Sequence, residues 1–224
     1  MTKHTTTAAI AALLIATLAV PASAGFLHRN DQIEGSGKLE TRDFDLKTFT
    51  GLELNGSLDA EITIGDRQKV TVTLDDNLFS NLEMDVEGGT LVIQWDKSCD
   101  PDNKSKVVIT VARLEAIELN GAGDIDVTGF RGDSFEFRLR GAGDLDIEGE
   151  VDDLEITLMG AGDVSAKGLK AKHVDVTVTG VGNAEVTATE SIEARVSGVG
   201  DIDYWGNPEK ERTRVSGLGD IDRK

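Results

Sequence analysis

Cysteine, proline and aromatic residues are scarce in this sequence. Among 224 residues there are one cysteine and three prolines, and Phe, Trp and Tyr together make up 4%. A single cysteine excludes an internal disulfide, so the core alone must hold the fold together. We interpret this residue, Cys99 in the polar stretch SCDPDNKS, as an inert or partly exposed thiol. An intermolecular disulfide is the alternative.

Long apolar runs are also missing, apart from one at the N-terminus. Thirteen largely apolar residues, Ala8 to Val20, follow Lys3 and precede the small-residue stretch PASA, which ends at Ala24. This order is typical of a secretory signal peptide. The run is shorter than the roughly 20 residues that span a bilayer. The sequence therefore predicts a cleavable signal peptide over 1–24, no membrane span, and export to the periplasm, the outer surface or the medium.

Basic residues are outnumbered throughout the chain. There are 23 Lys and Arg against 41 Asp and Glu, a net charge of −18, which becomes −19 if Lys3 is removed with the signal peptide. Nucleic acid and anionic lipid would be repelled by such a protein. The charge disfavours these two partner classes and suits basic partners or divalent cations.

Glycine, in contrast, is plentiful and recurs in one turn. Six near-copies of G-x-G-D begin at Gly121, Gly141, Gly160, Gly180, Gly198 and Gly217, with spacings of 20, 19, 20, 18 and 19 residues. Apolar and polar residues alternate strictly before and after each turn, as in Ile117-Glu118-Leu119. Alternation with a period of two indicates strands with one buried face. A fixed period near 20 indicates one structural unit stacked on its own copies.

The predicted fold is all-β: a single-domain parallel β-helix with about 19–20 residues per coil, right-handed by default. No segment of 107–224 carries the 3.6-residue apolar period of a helix. A β-propeller blade needs about twice the period. An antiparallel sandwich would not explain why two kinds of turn alternate along the chain.

The predicted domain covers 39–224, after a flexible N-terminal segment over 25–38. Its first part, 39–113, is β-rich but irregular, with a hairpin at Gly88-Gly89 and a polar closing loop. Its second part, 114–224, is predicted to form six regular coils. The stretch LELNG, which begins at Leu52, echoes IELNG in the regular part and predicts one more, diverged coil.

These features together resemble a known family. An exported β-rich segment that contains GGTLVI, from Gly88, and is followed by serial G-x-G-D turns is similar to the auto-transporter adhesin family with a head GIN domain. The resemblance covers roughly Leu39 to Lys224. It implies a β-helical bacterial protein of the envelope or surface, called an adhesin by analogy, and it brings no catalytic residues with it.

The turn glycines are predicted to have a structural role. We expect the first and third positions to adopt positive φ, which glycine tolerates best. A dinucleotide-binding loop is excluded because a strand, not a helix, follows the turn. The structural glycines are Gly121, Gly123, Gly141, Gly143, Gly160, Gly162, Gly180, Gly182, Gly198, Gly200, Gly217 and Gly219.

The turn acids are predicted to stack in two rows along the axis, because neighbouring coils lie about 4.8 Å apart. One interpretation is that each Asp accepts hydrogen bonds from its own turn. The alternative is that two clusters bind a cation such as Ca²⁺, which prefers several oxygen ligands. The first is favoured because Asn183 and Ser165 interrupt the rows without breaking the repeat. The candidate cation ligands are Asp124, Asp126, Asp144 and Asp146 in one cluster, and Asp201, Asp203, Asp220 and Asp222 in the other.

The predicted function is that of a non-enzymatic, exported cell-envelope protein, structural or adhesin-like, which presents β-helix faces to a surface protein or glycan. No cofactor is required, and Ca²⁺ is the only candidate. The alternative is a divalent-cation- or polysaccharide-binding module. A third hypothesis is a polysaccharide-degrading β-helix enzyme, with Arg138 and Arg140 acting near Asp124 and Asp144. His173 shows no evident catalytic partner in the sequence.

Two further features lie outside the repeat logic. The tripeptide Arg131-Gly132-Asp133 matches an integrin-binding motif in a predicted loop, but tripeptides recur by chance and this one carries little weight. No capping segment follows the last turn at Gly217, whereas solenoids usually need one and bare edges invite pairing. The sequence therefore predicts homo-oligomers formed through an uncapped C-terminal coil.

Overall fold

A computed structural model describes residues 32–224, so the predicted signal peptide over 1–24 lies outside the described residues. Within this range the chain is nearly all β, and its helical residues are confined to one 3-10 turn, Phe79–Asn81. The described part contains no helix long and apolar enough to cross a membrane. The strands are Ile33–Glu34 (β1), Leu39–Phe44 (β2), Gly51–Asn55 (β3), Asp59–Ile64 (β4), Lys69–Asp75 (β5), Leu82–Glu87 (β6), Thr90–Trp95 (β7), Cys99–Asp100 (β8), Lys106–Val111 (β9), Ala116–Leu119 (β10), Ile125–Leu139 (β11), Leu145–Leu158 (β12), Val164–Val178 (β13), Ala184–Val196 (β14), Ile202–Trp205 (β15), Lys210–Val215 (β16) and Ile221–Arg223 (β17).

The regular part is a parallel β-helix, as predicted. Strands β11 to β14 pair in parallel, and Leu139 lies beside Leu158, which in turn lies beside Val178. Each step along the axis is therefore one sequence repeat. Each long strand starts after a G-x-G-D corner and ends at the next corner. Six corners enclose five complete circuits, so the solenoid has about five turns, where the sequence predicts six coils.

The core is one continuous apolar column that narrows toward the C-terminus. Its inward positions are fully buried, because alternate residues of every strand face the interior. In one column Phe137, Ile156, Val176 and Ala194 follow each other, all with 0% of their surface exposed. The side chains shrink along this column from a ring to a methyl group.

The diverged coil predicted from the LELNG echo is confirmed. Strand β3 pairs in parallel with β10, and Leu52 lies opposite Ile117 in the register that the echo predicts. Strand β4 pairs with the start of β11 in the same way. In sequence, the 3-10 turn and the strands from β5 to β9 lie between the diverged coil and the first regular coil. In the structure these two coils are direct neighbours, and the intervening segment lies outside them.

The intervening segment closes the N-terminal end of the solenoid. The predicted hairpin at Gly88-Gly89 is confirmed, and it joins β6 and β7 in antiparallel pairing. Strand β7 then pairs in parallel with β3. On the next face β9 pairs with β4, and the antiparallel strands β5 and β2 follow outward. Each of the two faces therefore ends in antiparallel strands.

Of the flexible segment predicted over 25–38, residues 25–31 lie outside the described residues, whereas Ile33, Glu34 and Gly35 make regular backbone contacts. The flexible segment predicted over 25–38 includes β1, which pairs with β8 inside the polar loop, so that Ile33 lies opposite Cys99. Gly35 also donates its N–H to the Asp100 carbonyl, at 2.8 Å. Burial raises the pKa of the Cys99 thiol, with a smaller contribution from the charge of Asp96.

A buried carboxylate holds this region together. Asp75 is fully buried and accepts hydrogen bonds from the N–H groups of Asp102 and Asn103, at 2.9 and 3.2 Å, and from Asn103 Nδ2 at 2.9 Å. Burial alone would raise the pKa of Asp75. The hydrogen bonds from Asn103, Asp102 and Gly37 outweigh burial, so the pKa lies below its ordinary value.

The sequence predicts a bare final coil. In the structure this coil carries charged groups at inward positions. Glu211 occupies the position that Ile192 holds one coil earlier, and Arg223 follows Tyr204 in the same way. Glu211 accepts hydrogen bonds from Arg223 Nη1, at 3.3 Å, and from the Tyr204 hydroxyl, at 3.2 Å. These polar groups cover the last apolar layer. Charged groups can face water at the end of the stack without the cost that exposed apolar side chains would have.

Candidate functional site

Two glycines are needed at each corner, since a Cβ at either position would overlap the preceding coil and the third position also has positive φ. The third-position glycines, such as Gly143 and Gly162, have φ between 147° and 154°, where other residues are strained. The first-position glycines, such as Gly141, do not have positive φ, which corrects the prediction for that position. A Cβ on Gly141 would overlap the carbonyl oxygen of Gly121 in the preceding coil. The first glycine therefore permits close stacking of the backbones.

The corner acids bind the next coil and not their own turn, which corrects the predicted capping pattern. The carboxylate of Asp144 accepts the N–H of Asp163 at 2.7 Å, and Asp163 accepts the N–H of Asn183 at 2.7 Å. Asn183 continues the series through its amide oxygen, which accepts the N–H of Asp201 at 3.0 Å. An acceptor oxygen is needed at this position, but a negative charge is not.

One member of this row was missed by sequence reasoning. Asp59 stands at the corner of the diverged coil and accepts the N–H of Asp124 at 3.1 Å. The signal was present, since Asp59 follows Gly56 by three residues, as Asp124 follows Gly121. Leu58 replaces the third glycine of the motif and hides the match.

The predicted cation ligands come together only in part. Asp124, Asp126, Asp144 and Asp146 line one shallow cavity of about 220 Å³, together with Asp163 and Ser165. Asp201 and Asp203 line a second one of about 390 Å³. Over residues 32–224, however, no three His, Cys, Asp or Glu side chains are grouped so that they could hold a metal ion. The second row of corner acids is the one that contains Asp126 and Asp146. At its C-terminal end Lys224 pairs with Asp203 at 3.1 Å.

A larger concave surface, an axial groove, lies on a different face. It has a volume of about 1100 Å³ and crosses β11, β12, β13, β14 and β16. One stacked column of its lining residues consists of Ser134, Asp153, His173, Ser191 and Lys210. Five positions at the spacing of adjacent strands extend over roughly 19 Å. The groove is thus long enough to hold an extended chain along the axis.

Carboxylates dominate this groove. Its lining contains eight Asp and Glu side chains but only two basic ones, Lys210 and Arg212. Some of the acids are paired at the groove edge, where Arg195 contacts Asp175 at 3.0 Å. Neutral or basic ligands suit such a surface better than acidic ones.

The arginines proposed for polysaccharide cleavage have other partners. Arg138 pairs with Glu136 and lies 3.9 Å from Glu155, and Arg140 pairs with Glu118. Neither pair involves Asp124 or Asp144. The Arg138–Glu136 pair lies within β11, and the contacts to Glu155 and Glu118 join neighbouring coils on an outer sheet face.

His173 has partners that the sequence did not suggest. Its Nδ1 lies 2.9 Å from the hydroxyl of Ser191, the next residue of the same column, and its Nε2 lies 3.9 Å from the Glu190 carboxylate. A serine nucleophile needs a base at such a distance, held in place by a third group. Glu190 is 59% exposed and too distant for a hydrogen bond, so it does not fix the imidazole in this way.

The Arg131-Gly132-Asp133 tripeptide lies within β11 and not in a loop. Arg131 and Gly132 are paired with Glu150 and Val151 of β12. Recognition loops present such a tripeptide at their tip, whereas here it is part of a continuous ladder.

The fold and the corner motif can now be compared with known proteins. A family described as "Putative auto-transporter adhesin, head GIN domain" matches residues 48–208. The chain belongs to this family. Curated protein sequences give no match. The head GIN match covers the diverged coil and most of the regular coils, and it ends before β16 and β17.

Solved structures from Bacteroides and Parabacteroides are similar to this head GIN protein. A putative adhesin from Bacteroides fragilis is 28% identical, with a TM-score of 0.75, and the match covers 86% of this chain and 100% of that chain. A putative lipid binding protein from Parabacteroides distasonis is 23% identical, with a TM-score of 0.49, over 86% of this chain and 99% of that one. A putative adhesin from the same species is 22% identical, with a TM-score of 0.48, over 87% and 100%.

Proposed function

We propose that this head GIN protein is an exported, non-enzymatic adhesin-like protein that holds an extended partner in the axial groove. The observation that carries the proposal is the groove itself, which crosses five stacked strands without interruption. Its column of hydroxyl, carboxylate and imidazole groups offers hydrogen bonds at each step along the axis. Membership of an adhesin family supports a binding role.

The partner is a surface protein or glycan of neutral or basic character. The excess of carboxylates in the groove disfavours acidic polymers, because like charges repel strongly when water is displaced between them. Hydroxyl-rich or cationic chains would meet acceptors along the whole groove.

Retention on immobilised polymers tests this proposal. The protein is passed over polylysine, neutral dextran and polygalacturonate, and we expect binding to one or both of the first two and none to the last. A groove variant, Asp153→Asn with Glu155→Gln and Glu193→Gln, should bind more weakly. The matched control, Asp126→Asn with Asp146→Asn and Asp222→Asn, removes three charges at the corner and should bind as the parent does. Equal loss in both variants, or release of reducing ends from any polymer, would contradict the proposal.

Cation binding at the corner is the second candidate. Asp124, Asp126, Asp144 and Asp146 line one cavity, but a Ca²⁺ ion would have to draw their carboxylates together, because no three of them are grouped for a metal in the described residues. Calorimetric titration with CaCl₂ tests it, and saturable heat that Asp144→Asn abolishes would support it. A titration without heat beyond dilution would leave the corner acids as structural acceptors only.

A further inference from the structure

The sheet that carries the groove has a free strand at each end. Among residues 32–224, β16 is hydrogen-bonded to β14 only, and β6 is hydrogen-bonded to β7 only. Between them the order is β14, β13, β12, β11, β10, β3 and β7. An edge strand exposes a row of unpaired N–H and C=O groups that another strand can meet.

The two free strands carry opposite charges on the same face of the sheet. On β16 the outward residues are Lys210, Arg212 and Arg214, since Glu211 and Thr213 align with the buried Ile192 and Ala194. On β6 the outward residues are Glu83, Asp85 and Glu87. All six are exposed, and no ion pair within residues 32–224 uses any of them.

Charged edges normally prevent strand pairing between molecules. That protection works here for like ends, because two β16 strands or two β6 strands would place like charges opposite each other. It fails for unlike ends, because opposite charges on facing strands stabilise a pair. The charge pattern therefore selects one arrangement of two copies, with the β16 end of one against the β6 end of the next.

Strand direction and length fit this arrangement. Strand β16 runs parallel to the coil strands, and β6 runs antiparallel to them. Two copies stacked with the same axial direction would bring β16 and β6 together as an antiparallel pair. Both strands have six residues. Aligning Lys210 with Glu87 also aligns Arg212 with Asp85 and Arg214 with Glu83.

The inward residues of the two strands match at one end only, because the alignment places Glu211 opposite Val86 and Thr213 opposite Met84. The same alignment places Val215, which is 45% exposed, opposite Leu82. Leu82, Met84 and Val86 are only partly buried in the single molecule. A neighbouring strand would remove further apolar surface from water on this side of the sheet.

We propose that copies of this chain associate head to tail, with β16 of one copy paired in antiparallel fashion with β6 of the next. The contact uses two different surfaces, so every added copy leaves one β16 and one β6 free. Such a heterologous contact forms open chains when the rotation between copies does not close a ring. Stacking would also align the axial grooves of successive copies.

Sedimentation velocity over a concentration series tests the proposal. The protein used is the chain from residue 25 to residue 224, which remains after the predicted signal peptide is removed. We expect the weight-average mass to rise above that of the monomer with concentration. Lys210→Glu with Arg212→Glu and Arg214→Glu should remain monomeric, and so should Glu83→Lys with Asp85→Lys and Glu87→Lys. An equimolar mixture of these two variants should associate again, because each then offers the other an opposite charge.

A third variant controls for net charge. Lys167→Glu with Lys170→Glu and Lys172→Glu changes the charge of the chain as the β16 variant does, but on a different side of the coil, and it should associate like the parent. Circular dichroism verifies the β content of each protein. The proposal is overturned if the parent stays monomeric at its highest soluble concentration, if the mixture stays monomeric, or if the control variant also loses association.

Discussion

At the scale of single residues, the corner acids act as hydrogen-bond acceptors that link one coil to the next. Asp163 shows this most fully, since its carboxylate accepts the N–H of Asn183 and also Asn183 Nδ2, at 2.7 and 3.0 Å. Asn183 takes the same place in the next coil with an uncharged oxygen. The position therefore accepts either Asn or Asp, because both supply an acceptor oxygen. The N–H groups that the carboxylates accept also reduce the repulsion between stacked like charges.

Substitutions of Asp163 separate the acceptor from the charge. We expect Asp163→Ala to lower the free energy of unfolding by about 0.5–1.5 kcal/mol, because an exposed N–H of the next coil exchanges its carboxylate acceptor for water. Asp163→Asn keeps an acceptor and should cost much less. Urea unfolding measures the free energy of unfolding of both variants. Asp146→Ala, which removes an acid from the other row of corner acids, serves as the control. A loss for Asp163→Asn as large as for Asp163→Ala would show that the charge itself matters.

Asp75 gives the fold a defined acid sensitivity. Its pKa is lowered in the folded state, so its contribution to stability is present above the ordinary Asp pKa and is lost as the pH falls through the folded value. We expect Asp75→Asn to be destabilised relative to the parent at neutral pH. The difference should shrink below about pH 4.

Unfolding by urea at a series of pH values measures this difference. Asp66→Ala, at an exposed turn, serves as the control and should change stability little at any pH. A difference between Asp75→Asn and the parent that stays constant from neutral pH to strong acid would contradict the assignment.

At the scale of elements, strand pairing could be predicted where the sequence repeats itself. The echo between Leu52 and Ile117 predicted both a coil and its register, because alternation fixes which face of a strand is buried. The antiparallel pairing of β2 with β5 could not be predicted, since no repeated pattern links them. The acceptor role of Asp144 toward Asp163 was also hidden, because it depends on the axial offset between coils and not on either turn alone.

Two glycines separate backbone crowding from backbone strain. In Gly141 the φ angle is ordinary, but a Cβ would overlap Gly121 of the preceding coil, whereas Gly129 has φ of 70° and open space around it. Gly129→Ala should cost about 1–2 kcal/mol, as expected for a left-handed residue. Gly141→Ala should cost more, because two coils must move apart. Thermal unfolding of both variants checks the order, and the reverse order would contradict the crowding argument.

At the scale of the whole molecule, acidic repulsion opposes the packed state. The chain has 41 acidic and 23 basic residues, and its ion pairs lie at exposed positions. Exposed ion pairs contribute little to stability, so screening should weaken the net repulsion more than it weakens these attractions.

The regular part of the fold was predictable at this scale because the sequence repeats with the period of one coil. Neither the groove nor the closing strands has such a signal.

Salt should therefore stabilise the protein. We expect Tm to rise between very low salt and about 0.15 M NaCl, where the Debye length is near 8 Å. Differential scanning calorimetry measures the change, with CaCl₂ at equal ionic strength as the control. A falling Tm would show that ion pairs outweigh the repulsion, and a much larger rise with CaCl₂ would point to cation binding at the corner.

The narrowing of the core from Phe137 to Ala194 gives the solenoid a weak end and a strong end. Coils filled by methyl groups bury less apolar surface than coils filled by rings, so their amide protons should exchange with solvent sooner. When a bound partner pulls on the molecule, the coils nearest the C-terminus should peel away first while the phenylalanine-filled coil holds. The protein would then lengthen under load before it unfolds completely.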